Sequence, residues 1–147
     1  MVISGCIGPR GDGYQPTAVM SADEAQQYHQ RQIDAFSQTD ADLVTAITMN
    51  YVEEAIGIVR AATVAGMPAV ISFTIETDGR LPTGQTLQDA IERVDAATGR
   101  APAYYMVNCA HPRHFEHVLV ADESWTERIR GVRALLLDLL TEKMDAC

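Results

Sequence analysis

The chain has few cysteines, and they show no regular spacing. They stand at positions 6, 109 and 147, whereas small disulfide-bonded domains have an even number of cysteines at regular intervals. The amino terminus also lacks a basic stretch followed by a long apolar segment, the mark of a secretory signal. These absences exclude a disulfide framework and favour a reducing compartment, so we expect a cytoplasmic protein.

Basic residues and long apolar runs are scarce as well. The 147 residues include 11 Lys and Arg against 20 Asp and Glu, which makes the formal net charge −9. Proteins that bind nucleic acid or anionic lipid surfaces need clustered positive charge, so we expect neither kind of partner. The most apolar late run, residues 134–137, is ended by Asp138 and is too short to span a bilayer.

What the sequence does contain is an alternation of strand-like and helix-like segments. Hydrophobic residues make up 47% of the chain, as in globular proteins. Short apolar runs predict strands, and segments that follow capping residues such as Ser21 predict helices. The predicted strands are residues 2–7, 43–48, 69–75 and 103–107, and the predicted helices are residues 22–39, 51–65 and 87–97. Fully apolar strands in this order favour an α/β fold with a four-stranded parallel sheet, whose two edges are open.

The position of Cys109 is the most informative single feature. The predicted strand 103–107 stops just before Asn108 and Cys109, so the thiol stands at the carboxyl end of a strand, where parallel α/β folds bind ligands and metals. A thiolate is a soft donor that suits zinc. The simpler interpretation is a half-buried free cysteine, because unpaired cysteine is among the most buried residue types.

Two further interpretations of this segment stay open. Cys109, His111, His114 and His117 form a string rich in metal donors, and a zinc site built from this segment alone is conceivable. A solvated loop is the simpler interpretation, because zinc sites usually draw ligands from separated segments. A cysteine hydrolase would need an oriented base and an oxyanion site, and the sequence shows neither.

Several motifs together resemble one known family. The segments that carry the resemblance are Val-Asn-Cys-Ala-His-Pro at 107–112, Ile-Ser-Gly-Cys-Ile-Gly-Pro at 3–9, Tyr-Val-Glu-Glu-Ala at 51–55, and Val-Ile-Ser-Phe-Thr-Ile at 70–75 with the loop that follows it. In this order and spacing they resemble the homocysteine S-methyltransferase family, zinc-dependent enzymes that methylate homocysteine to methionine. The resemblance covers residues 1–133 and implies a homocysteine-binding domain that is a partial TIM (β/α)8 barrel, since a whole barrel takes about 250 residues.

The resemblance also implies a zinc site and a substrate pocket. Cys109 matches a zinc-ligating cysteine of the family, and Asn108 beside it would shape the pocket floor. Thr48 and Glu76 stand at neighbouring strand ends and are further candidates for substrate binding, although such residues are more often caps and turn formers. Zinc would bind the homocysteine sulfur and lower its pKa, and the thiolate would attack the methyl group of a sulfonium or betaine-type donor.

The chain departs from the family pattern at several points. The family binds zinc with three cysteines, two of which form an adjacent pair, and this chain contains no adjacent Cys-Cys pair. The family's Asp-Gly-Gly segment is also missing, and residues 45–50 lack a glutamate that some members have. The alternative function is therefore a non-catalytic barrel fragment that acts by association with another chain through its open sheet edges.

The carboxyl-terminal segment differs from the family most clearly. Residues 125–133 resemble the family's approach to its seventh strand, but residues 134–147 consist largely of good helix formers. We expect residues 134–147 to form a divergent helical tail. The helix would start at about Glu127 or Val132 and end at about Lys143.

Overall fold

Five parallel strands, adjacent in the order in which they occur in the chain, form one sheet. The computed structural model describes residues 1–111, 113, 116–119 and 123–133. The elements are β1 (Ser4–Ile7), α1 (Ala22–Ser37), β2 (Leu43–Met49), α2 (Val52–Val64), β3 (Ala69–Thr74), α3 (Leu87–Thr98), β4 (Tyr104–Asn108), a 3₁₀ turn (Thr126–Arg128) and β5 (Ile129–Arg133). The sheet order is β1-β2-β3-β4-β5, and each neighbouring pair is parallel. The predicted α/β fold, with parallel strands alternating with helices, is confirmed.

The helices pack beside one another against one face of the sheet. Helix α1 contacts α2, α2 contacts α3, and α2 also contacts β2 and β3. Consecutive parallel strands joined by right-handed crossovers place their helices on the same side. The core lies between these helices and the sheet, and its largest fully buried members include Phe73, Tyr105 and Ile71.

Successive side chains of β3 and β4 point to opposite faces, as the period of two requires. Ile71, Phe73 and Tyr105 belong to the core beneath the helices. Ser72 and Asn108 lie on the other face, where their side chains hydrogen-bond each other. The face away from the helices therefore carries polar groups near the carboxyl ends of the strands.

Local capping explains where the helices begin. Ser21 and Glu24 form the predicted capping box at the start of α1, in which each side chain accepts a hydrogen bond from the backbone of the other. Thr86 caps α3 by accepting from the backbone N–H of Asp89. Gly99 ends α3 in the left-handed conformation, which glycine adopts without steric cost. No helix in the described part of the chain is long and apolar enough to cross a membrane.

A buried polar pair joins α1 and α2 to the loop after β1. Glu54 and His29 are almost fully inaccessible to solvent, and Oε1 of Glu54 lies 2.9 Å from Nε2 of His29. The same oxygen accepts a 2.7 Å hydrogen bond from the backbone N–H of Arg10. Tyr51 lies beside Glu54, and its burial raises the pKa of its hydroxyl to about 12. The pair thereby anchors the start of the β1–α1 loop.

A second polar cluster connects α3, β4 and the turn before β5. The carboxylate of Asp95 accepts hydrogen bonds from the Tyr105 hydroxyl at 2.8 Å and from Nε and Nη2 of Arg128 at 2.9 and 3.0 Å. Arg128 also donates to the carbonyl of Pro102. This planar, two-point contact fixes the position at which β5 enters the sheet.

The structure corrects two predictions about the last part of the chain. The sheet has five strands among the described residues rather than four, and Ile129–Arg133 pairs with β4, so no helix starts at Glu127 or Val132. Gly131 explains part of this outcome, because a Cβ at that position would lie 2.8 Å from the methyl group of Met106 on the neighbouring strand. Strand pairing has overridden a weak helical pattern. The predicted tail, residues 134–147, lies outside the described residues.

Candidate functional site

A small cavity opens at the carboxyl ends of β2, β4 and β5. Its volume is about 210 Å³, and it is lined by Ile47, Thr48, Asn108, Cys109 and Arg133. The carboxyl ends of parallel strands meet at one edge of a sheet, and this is the edge where parallel α/β folds bind their ligands. Three of the four predicted site residues, Thr48, Asn108 and Cys109, are thus brought together.

Asn108 connects three strands through its side-chain amide. It is only 2% exposed, and its Oδ1 accepts hydrogen bonds from the Thr48 backbone N–H at 3.0 Å and the Ser72 hydroxyl at 2.7 Å. Its Nδ2 donates to the Thr74 hydroxyl and to Sγ of Cys109, both at 3.0 Å. Both ends of the amide are therefore used, and the orientation of the group is determined by its partners.

The backbone at Thr48 and Cys109 adopts a conformation that is rare for residues other than glycine. Their φ angles are 60° and 59°, and the strain is greatest for a β-branched residue such as threonine. The pairing of β2 with β3 shifts between Ala46 and Met49, so Thr48 lies in a β-bulge. The hydrogen bond from Thr48 N–H to Asn108 and the bond from Cys109 N–H to the Arg133 carbonyl at 3.1 Å hold these two residues in place.

The Cys109 thiol is half-buried and faces the cavity rather than the apolar core. It accepts the bond from Asn108 Nδ2. The interaction of Tyr14 with the Cys109 side chain, its burial and the nearby negative charge of Asp12 raise the pKa of Tyr14 above its usual value. Cys6, in contrast, is exposed near the start of the sheet.

Glu76 is in a different environment from the other predicted residues. It lies in the exposed loop after β3, where its backbone N–H donates to the carbonyl of Arg80 at 2.7 Å. It is not among the residues that line the cavity. Its role in substrate binding stays a prediction.

The histidine string is only partly within the described residues. Nδ1 of His111 accepts a 3.3 Å hydrogen bond from the backbone N–H of Arg113, and His117 is exposed, while His114 lies outside the described residues. Among the residues that the structure describes, no group of three or more His, Cys, Asp and Glu could hold a metal. A catalytic zinc site keeps about three protein ligands, so the described residues alone do not form a complete zinc site.

Several residues of the site were not anticipated from the sequence. Ser72 and Thr74 orient Asn108. The sequence does contain a sign of this role, because these are the two polar residues in the otherwise apolar strand Ala69–Thr74. Tyr14 and Arg133 carried no comparable signal, since they meet Cys109 only in the folded chain.

The geometry is that of an α/β protein with a parallel sheet and a cysteine thiol at the carboxyl edge of that sheet. Proteins of this class bind ligands at that edge. The chain belongs to the homocysteine S-methyltransferase family, whose sequence model matches residues 1–130. No curated protein matches the chain.

Solved structures of the homocysteine methyltransferase MmuM from Escherichia coli are similar in fold. The metallated form has a TM-score of 0.70 at 19% sequence identity, the apo form 0.68 at 18%, and the oxidised form 0.68 at 17%. Each match covers 91% of this chain but only 56% or 57% of the MmuM chain. The chain thus spans a little over half the length of these structures, and the fold is part of a TIM barrel.

Proposed function

We propose that this chain acts as part of a homocysteine S-methyltransferase, in which a methyl group is transferred to the homocysteine thiol to give methionine. Membership of the family and the presentation of Cys109 at the carboxyl edge of the sheet support this function. The single observation that carries it is the Cys109 sulfur, which faces a cavity and accepts a hydrogen bond from a buried amide.

We further propose zinc as the cofactor, with Cys109 as one of its ligands. The remaining ligands would come from outside the described residues, because one thiolate is not enough for a stable site. When bound, zinc would stabilise the thiolate form of a coordinated thiol at neutral pH. That is the form of homocysteine whose sulfur can attack a methyl carbon and displace the sulfide or amine that carries it.

The residues of this chain would position the sulfur and the substrate. Asn108 fixes Sγ of Cys109 through Nδ2, while Ser72 and Thr74 fix the orientation of that amide. Thr48 and Ile47 also line the cavity, and Asn108, Thr48 and Glu76 are the proposed substrate-binding residues. The homocysteine sulfur would form a bond to the methyl carbon as the carbon–sulfur or carbon–nitrogen bond of a sulfonium or betaine-type donor breaks. The cytoplasmic location stays a prediction.

Metal analysis combined with a product assay tests this function. We expect the purified chain to contain zinc and to form methionine from homocysteine and a sulfonium or betaine donor. The variant Cys109→Ala should lose both, while the control Cys6→Ala, which changes an exposed thiol away from the cavity, should lose neither. Zinc-free protein that forms no methionine under any of these conditions would contradict the proposal for this chain.

The second candidate function is association with another chain without catalysis. The observation that favours it is the sheet itself, because within the described residues β1 and β5 each pair with one neighbour only. Such edges expose unpaired N–H and C=O groups that another strand can complete. A chain that associates but contains no zinc would support this alternative.

A further inference from the structure

Three buried side chains lie close together where β2 leads into α2, and all three bind the β1–α1 loop (residues 8–21). Asn50, Tyr51 and Glu54 are 1%, 3% and 0% exposed, and we call them the anchor residues. Tyr51 and Glu54 belong to the Tyr-Val-Glu-Glu-Ala segment at 51–55, and neither takes part in the chemistry proposed above. Their role is to be found in the loop that they hold.

Each anchor residue makes one hydrogen bond to the backbone of the loop. The bonds join the Arg10 N–H to Oε1 of Glu54 at 2.7 Å, the Asp12 carbonyl to Nδ2 of Asn50 at 3.0 Å, and the Met20 N–H to the hydroxyl of Tyr51 at 3.2 Å. These contacts extend from the start of the loop to its end. The loop therefore has one defined path at the carboxyl edge of the sheet.

Glu54 is itself held by a buried histidine. Nε2 of His29, which is 1% exposed, lies 2.9 Å from the same oxygen that binds the loop. Nδ1 of His29 has no hydrogen-bond partner among the described residues, and apolar side chains of similar volume often replace a buried pair of this kind without loss of stability. The stability of the fold therefore does not account for this pair, whereas its contact with the loop does.

Gly13 brings the anchored loop into direct contact with the lining of the cavity. A Cβ at position 13 would lie 2.6 Å from Cγ2 of Thr48, a distance that real Cβ atoms do not reach. The absence of a side chain at Gly13 thus allows the loop to lie against Thr48, which lines the cavity. Any shift of the loop would change the space available to the Thr48 side chain.

We propose that Glu54 is a positioning residue for Thr48: together with His29 it holds the β1–α1 loop against the Thr48 side chain and so determines the shape of this wall of the cavity. The inference rests on the proposed function in one respect, namely that the cavity is the substrate pocket. Asn50 acts in the same way through its own bond to the loop. Neither residue lines the cavity, so both act through the loop.

Tryptic cleavage between Arg10 and Gly11 measures how firmly the loop is held. The double variant Glu54→Leu, His29→Leu replaces the pair by apolar side chains of similar volume and removes the acceptor for the Arg10 N–H. We expect cleavage at this bond to become about tenfold faster, as the loss of one hydrogen bond from the held loop implies. Glu54→Gln keeps an oxygen acceptor and should stay within about twofold of the parent.

Cleavage after Arg93, in the middle of α3, is the internal reference in the same digest. It reports unfolding of the helices and should keep the rate of the parent in the double variant. Cleavage at Arg10 that is no faster than in the parent, or equal acceleration at Arg10 and Arg93, would overturn the inference.

A second variant displaces the loop from its other side and leaves the buried pair intact. Gly13→Ala places a methyl group where Thr48 already lies, so we expect the nuclear Overhauser effect between the Thr48 methyl group and the α-proton of residue 13 to be lost, with faster cleavage at Arg10. Gly8→Ala is the matched control, because a Cβ at position 8 meets nothing within 4 Å. An Overhauser effect that persists in Gly13→Ala, or that is lost equally in Gly8→Ala, would contradict the proposed contact.

Neither readout needs methyl transfer. A protein that shows the expected cleavage and Overhauser effects but forms no methionine would contradict the proposed function and leave this inference standing.

Discussion

At the scale of single residues, the site depends on the amide of Asn108. Its hydrogen-bonding partners are Thr48 in β2, Ser72 and Thr74 in β3, and the neighbouring thiol of Cys109. Burying an amide costs little free energy when all of its hydrogen bonds are made. If the amide is removed, its partners stay buried without a hydrogen bond, and that costs more. One amide thus determines both the strained backbone of Thr48 and the direction of the thiol.

Replacing Asn108 with alanine is expected to destabilise the protein strongly. The change leaves two buried hydroxyl groups and the Thr48 N–H without their partner, and we expect the free energy of unfolding to fall by about 2–4 kcal/mol. Urea unfolding followed by circular dichroism measures it. Ser72→Ala is the matched comparison, because it removes one of these bonds, at 2.7 Å, and should cost about 1 kcal/mol. Equal effects of the two substitutions would show that the amide does not connect the strands.

At the scale of elements, the position of β5 depends on contacts with α3 and β4 rather than on its own sequence. Its pairing with β4 is shifted between Tyr105 and Met106, and its entry is fixed by the two-point contact of Arg128 with Asp95. The prediction that a helix starts at about Glu127 or Val132 was wrong for this reason. Helix propensities differ by less than about 1 kcal/mol per residue. A helix over residues 129–133 would lose the strand pairing with β4 and would leave the Asp95 carboxylate without its Arg128 partner.

Removal of the Arg128 side chain should therefore loosen β5. Arg128 and Asp95 are 15% and 11% exposed, and Arg128→Ala leaves the carboxylate largely buried with one remaining donor, Tyr105. We expect a loss of about 2–4 kcal/mol in unfolding free energy, with faster hydrogen exchange of the β5 amides. The control Arg93→Ala breaks the pair with Glu53, whose side chains are 44% and 35% exposed, and should cost less than about 0.5 kcal/mol. Similar losses for the two variants would contradict this account.

At the scale of the whole molecule, the described sheet is an open segment of a barrel. The chain spans 56% of the MmuM structure that it matches with a TM-score of 0.70. Within the described residues, β1 and β5 border the sheet, and an intact barrel would pair such edges. Association through these edges is the physical expectation for the chain as given.

Charge placed on the sheet edges should reduce this association. Ile3 lies just before β1 and Val132 lies in β5, and both are exposed. We expect the chain to sediment as dimers or larger species at high concentration, and the Ile3→Lys, Val132→Lys double variant to shift toward monomer, since lysine on an edge opposes strand pairing. Val64→Lys at the end of α2, which changes an exposed residue away from the edges, is the control. A chain that stays monomeric at all concentrations would argue against association through the edges.

The sequence by itself determined the order of the elements from β1 to β4, the caps at Ser21 and Thr86, the family and the location of Cys109 at a strand end. All of these depend on the period of apolar residues, on capping within one turn, or on short motifs, and such signals are contained in a few consecutive residues. Only the tertiary structure decided four other features: the bulge at Thr48, the full use of the Asn108 amide, the approach of Tyr14 to Cys109 and the strand at Ile129–Arg133. Each needs segments from distant parts of the chain to meet, as Thr48 and Asn108 do across 60 residues, and the energy of those contacts exceeds the local preferences that the sequence displays.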